Sequence, residues 1–200
     1  FITLLSVIII AMVYSFDRRC FAATAGVLSG IMVALFFGAV FTHLFKIHGA
    51  VMSMSESLLY CGYENLNLTS IFTASIFIGS SGAMMDLAVD ITSAMHEIIL
   101  KKPSVTTKEL IISGMNIGKA AMGTISTTLL LAYTGSCIAM LMVFMAQGTP
   151  LVNILNYKYV AAEIVHTVAG SIGLTAVAPL TAVLGGTVLT HSGKTAESEK

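Results

Sequence analysis

An all-α bundle that crosses a membrane several times is the fold class this sequence predicts. Only 10% of its 200 residues are charged, and 56% are hydrophobic. A soluble domain carries about 25% charged residues, and the mean hydropathy here is +0.91. Apolar runs near the ~20 residues that a spanning helix needs recur along the chain. The positive charges gather in alternate connections between those runs.

Five spans are expected. The first, 1–16, begins at Phe1 inside an apolar run with no charged segment before it. It therefore reads as part of a longer or processed chain rather than as a signal peptide. The second is 21–45. Residues 47–70 form the main external loop, where Val51, Met54, Leu58 and Leu59 at helical spacing suggest either an amphipathic helix on the interface or a packed loop. The third span is 71–100, long enough to tilt or to project from the bilayer. The fourth is 111–146. The fifth is 159–190, with Pro179 inside it, where the ring removes one helical hydrogen bond and favours a kink. Residues 191–200 read as a polar cytoplasmic tail.

Charge sets the expected orientation. Arg18 and Arg19 separate the first two spans, Lys101, Lys102 and Lys108 separate the third and fourth, and Lys194 and Lys200 follow the fifth. The alternate loops hold only Lys46 and Lys158. Positive loops stay cytoplasmic, which puts the N-terminus outside and the C-terminus inside. The formal net charge is zero, so no basic footprint points to nucleic acid. The three cysteines, Cys20, Cys61 and Cys137, include no CxxC pair. There is also no GxxxxGK[ST] phosphate loop, no HExxH and no nucleophile with a positioned base, so no enzyme, metal site or cofactor is expected.

Polar residues inside the apolar runs carry what chemistry the chain has. Asp86 lies near the middle of the third span. A carboxylate at bilayer depth costs a few kcal/mol, so it usually faces the bundle interior and serves a pathway or a partner. Asp86, Asp90, Ser93 and Glu97 recur at spacings of four, three and four, which places them on one helical stripe. Such a ladder suits proton or cation relay. Fixed hydrogen bonds and ion pairs would satisfy the same carboxylates in a purely architectural role. The fourth span offers partners: Lys119 at about the depth of Asp90, forming an expected ion pair, and the hydroxyls of Thr124, Thr127 and Thr128. Those hydroxyls either back-bond their own helix or line a hydrated path facing Asp86.

In the fifth span, Glu163 and His166 stand three apart near the outer end and read as a solvated interfacial pair. A Glu-x-x-His pair binds metal when a second copy faces it, and no second copy occurs. His43 and His48 are lone interfacial histidines. The segment Gly170-Ser171-Ile172-Gly173 reads first as tight packing, with a helix break as the lesser reading. Twelve methionines read as packing filler.

Three stretches resemble the YibE/F-like bacterial membrane proteins. The first is Gly82-Ala83-Met84-Met85-Asp86 with Ser93-Ala94 and Glu97. The second is Ile117-Gly118-Lys119-Ala120-Ala121-Met122-Gly123-Thr124 with Thr128-Leu129-Leu130-Leu131-Ala132-Tyr133 and Gly135. The third is Ala162-Glu163-Ile164-Val165, leading into Gly170-Ser171-Ile172-Gly173-Leu174 and Pro179-Leu180-Thr181. The chain departs from that pattern at Ala120, where the family has an acid, at Thr127, where it has asparagine, and at Asp90, where it has a small neutral residue. The resemblance implies a multi-pass protein of the bacterial inner membrane and supplies no mechanism.

The expected function is permease-like: proton- or cation-coupled transport of an unidentified solute or ion through a polar seam between the third and fourth spans. Asp86 is the carrier, Asp90 and Lys119 the compensating pair, Glu97 the cytoplasmic exit, and Thr124, Thr127 and Thr128 the lining. The alternative is a scaffold or accessory subunit whose buried charges are structural. Besides the lipid bilayer, the partners in view are a second copy or another membrane subunit, since small-residue faces favour close helix packing.

Overall fold

A computed structural model describes residues 2–14, 17–47, 49–51, 55–63 and 65–197. Helices α1 (Ile2–Tyr14) and α2 (Arg18–Leu44) come first. A 3₁₀ turn (Gly49–Val51) and the short α3 (Ser55–Tyr60) lead to α4 (Leu68–Lys101). Then come α5 (Thr107–Ala146), the short α6 (Leu151–Leu155) and α7 (Lys158–Glu197). No strand occurs among the described residues.

Among the described residues, four helices are long and apolar enough to cross a membrane: Arg19–Leu44, Leu68–Lys101, Thr107–Ala146 and Lys158–Thr190. The expected first span corresponds to α1, whose 13 residues extend about 20 Å, short of a hydrocarbon core of about 30 Å. Phe1 and Phe16, at the ends of that span, lie outside the described residues, as do His48 and Met54 of the external loop and residues 198–200 of the tail.

Caps explain why two helices start earlier than apolarity alone suggests. The Asn67 side chain accepts from the Ser70 N–H at 3.1 Å and opens α4 at Leu68. Thr106 and Glu109 form a reciprocal capping box at 3.1 and 3.3 Å, which opens α5 at Thr107. At the other end, α7 runs unbroken through Pro179 to Glu197, so the tail expected at 191–200 begins as helix.

Helix α7 is the central element. Half of its most apolar window is buried, against 17% for α5, which is the peripheral one. α7 packs on α2, α4 and α5. Small residues set those contacts: a Cβ on Gly173 would lie 2.6 Å from Ala34 Cβ on α2, and one on Gly118 would lie 3.0 Å from Ala178 Cβ. Such sites let backbones close together where lipid supplies no hydrophobic drive. Gly170 and Gly173 are therefore packing sites within a continuous helix, and the helix break considered at 170–173 does not form. Helix α1 docks on α4 through Tyr14, whose hydroxyl donates to the Val89 carbonyl at 2.7 Å and shares a 2.6 Å hydrogen bond with Ser93.

Candidate functional site

Asp86 sits about 27 Å from the start of α4 and about 22 Å from its end, taking 1.5 Å per residue. That is close to the middle of a helix long enough to cross a membrane. The inner face of α4 belongs to Met84, Leu87, Ala88, Ile91 and Met95, all buried in the main apolar core. Asp86, Asp90 and Glu97 point the other way and are exposed. The spacing does put the carboxylates on one stripe. The stripe lies on the outer surface of the chain and not in the bundle interior, because the apolar positions one and two residues away hold the inner face. Ser93 is half-buried at the edge of the stripe, held by Tyr14.

The partner residues on α5 point outward as well. Lys119, Thr124, Thr127 and Thr128 are exposed, as is Asn116. Beside Lys119 the α4–α5 contact is apolar: a Cβ on Gly118 would meet Ile91 Cδ1 at 3.0 Å, and one on Gly114 would meet Met95 Sδ at 2.6 Å. The polar residues expected to line a seam between these two helices are instead exposed. Thr127 donates to the Gly123 carbonyl at 2.8 Å and Thr128 to the Thr124 carbonyl at 3.1 Å, so both hydroxyls back-bond their own helix.

The expected Asp90–Lys119 ion pair does not form within the chain. The described ion pairs are Asp17–Arg19 at 2.9 Å, Lys102–Glu109 at 3.9 Å and Glu163–His166 at 3.6 Å. The depth match holds, since Ile91 and Gly118 are the neighbouring residues and touch each other. The direction does not. Successive helical residues turn by about 100°, so Asp90 swings to one side of the Ile91–Gly118 contact and Lys119 to the other.

A second polar group lies in the half of the bundle formed by the start of α7. The His166 side chain is only 12% exposed and Glu163 is 32% exposed, so His166 is buried rather than solvated. Its ring packs edge-on to Tyr133 of α5, with centroids 5.0 Å apart. Tyr133 Oη and His166 Nε2 are both buried and find no hydrogen-bond partner among the described residues. They converge over Gly79, where a Cβ would lie 3.0 Å from Tyr133 Oη and 3.4 Å from His166 Nε2. A cavity of about 360 Å³ beside them is lined by Phe72, Ser75, Cys137, Tyr159, Glu163 and His166, among others. Sequence reasoning passed over Tyr133. The available signal was a phenol among the small residues Ala132, Thr134 and Gly135, in a helix one contact away from the Glu163–His166 pair.

A family model described as YibE/F-like protein matches residues 1–191. The chain belongs to the YibE/F-like family. No curated protein and no solved structure matches it. The YibE/F-like match encloses both polar groups and every helix through Leu189, so the fold described above is that of the matched region.

Proposed function

We propose that this YibE/F-like chain is a multi-pass protein of the bacterial inner membrane with a permease-like role, moving protons or cations along the outer faces of α4 and α5. One observation carries the proposal. Asp86, Asp90 and Glu97 stand exposed on one face of a membrane-length helix, with no ion-pair partner among the described residues. Ionisable groups at bilayer depth mark ion paths or proton relays, and they face protein or water rather than lipid. Asp86 is the carrier, Asp90 and Glu97 step toward the Lys101–Lys102 end, and Thr124, Thr127 and Thr128 lie on the neighbouring polar face. The basic loops support a cytoplasmic placement of that end. The role is not enzymatic, and the solute or ion is the cargo.

The outward direction of the stripe also favours a second reading, a scaffold or accessory subunit whose charged face binds another membrane protein. Transport separates the two. Purified full-length protein in liposomes is expected to carry a proton or monovalent-cation flux above that of protein-free liposomes when a pH or cation gradient is imposed. Flux equal to that of protein-free liposomes under both gradients contradicts the transport proposal and leaves the scaffold.

A further inference from the structure

We infer that an anionic phospholipid binds in the cavity between the end of α2 and the start of α7, with an acyl chain along its apolar walls and the headgroup between Lys46 and Lys158. The inference rests on that cavity and does not require that ions cross.

The two lysines are isolated in the sequence and brought together by the fold. Lys46 is the only Lys or Arg from 20 to 100, and Lys158 the only one from 120 to 193. Both are exposed, and both line one cavity of about 550 Å³. Ligand pockets range over about 300–1,000 Å³. Phe45, Ile47, Leu155 and Ile164 are among the walls, and no acid occurs among the described residues that line it. Glu163 of α7 lines a different cavity, with His166.

The cavity has the layout of an amphiphile. Lys158, Ala161 and Val165 line it, and their spacings of three and four set them on one stripe of α7. The stripe runs about 10 Å from the start of the helix into its membrane-length segment. A cation at the top of an apolar stripe suits a headgroup at the interface with a chain below it. A soluble anion would leave the apolar walls uncovered, and an uncharged chain would make no use of the lysines. A membrane lipid with a net negative headgroup uses both.

The backbone at Lys46 supports a use for that side chain. The Ile47 N–H donates to the Thr42 carbonyl at 3.0 Å and the Lys46 N–H to the His43 carbonyl at 3.2 Å, which closes α2 in a Schellman motif. Lys46 itself takes a φ of 49°, a conformation that glycine adopts without steric cost and lysine does not. A side chain held at a glycine position is a pointer to function.

The test titrates phosphatidylglycerol into the full-length protein in detergent and follows the first bound lipid by native mass spectrometry. Phosphatidylcholine with the same acyl chains and glycerol phosphate, which has no chain, are run beside it. The parent is expected to bind phosphatidylglycerol about tenfold more tightly than phosphatidylcholine, and equimolar glycerol phosphate should not displace it. A lysine near an anionic headgroup is worth about fivefold in affinity. Lys46→Gly and Lys158→Gln are each expected to weaken phosphatidylglycerol by about that factor and to leave phosphatidylcholine unchanged. Lys46→Gly also suits the left-handed backbone, so the melting temperature without added lipid should not fall, which separates lipid contact from architecture. Equal affinity for the two lipids, displacement by glycerol phosphate, or an unchanged lipid preference in the Lys46→Gly and Lys158→Gln variants would each overturn the inference.

Discussion

Asp86→Asn is expected to bring proton or cation flux down to the level of protein-free liposomes while the chain folds as the parent does. The two halves of that result have separate causes. Asparagine matches aspartate in size and removes only the ionisable group, so the stripe loses its deepest exchange site and keeps its shape. Asp86 is exposed and makes no ion pair among the described residues, so its loss should shift stability by no more than about 0.5 kcal/mol, as for ordinary surface positions. Insertion should become easier, since an aspartate at the centre of a spanning helix costs about 2.5–3.5 kcal/mol. Flux assays on Asp86→Asn and Asp86→Glu, each beside a thermal melt, check both halves. Asp86→Glu keeps a carboxylate on the stripe and should retain measurable flux. An unfolded Asp86→Asn chain would assign the residue to architecture.

Gly173→Leu should be strongly destabilising. A Cβ at that position lies 2.5 Å from Met84 Cε and 2.6 Å from Ala34 Cβ, with the Ala34 Cα at 3.3 Å. The methionine end can move, but the α2 backbone behind Ala34 cannot move without separating α2 from α7. Overpacking a filled core costs about 1–3 kcal/mol and at times more, and three further carbons beyond the Cβ place this case at the upper end. The expected readout is a clear fall in melting temperature in detergent and in the yield of folded protein. A melting temperature equal to that of the parent would mean that α2 and α7 do not pack at Gly173 and Ala34.

Much of the fold was legible because spanning helices advertise themselves by length and apolarity. The third, fourth and fifth expected spans each lie within one observed helix, with starts moved outward by the caps at Asn67 and Thr106. The carboxylate stripe was legible too, since 86, 90 and 97 share a helical face by spacing alone. Its direction was not. In a soluble helix the polar face points to water, but here Met84, Leu87 and Ile91 on the inner face are no more apolar than Ile78, Phe36 or Leu131 on the outer one. Lipid and core ask for the same side chains, so sequence supplies depth along the axis and little rotation about it. That is why the depth of Lys119 against Asp90 was right and the ion pair was not. The burial of His166 was hidden for another reason: its neighbour Tyr133 comes from a different helix, 33 positions away in the sequence.

The most direct measurement is modification of the parent protein in liposomes with a hydrophobic carbodiimide, which attacks protonated carboxyl groups at bilayer depth. Peptide mass spectrometry would follow the sites while flux is recorded on the same preparation. If ions pass by Asp86, flux should fall in step with the fraction of Asp86 modified. Full modification of Asp86 with flux unchanged contradicts that path.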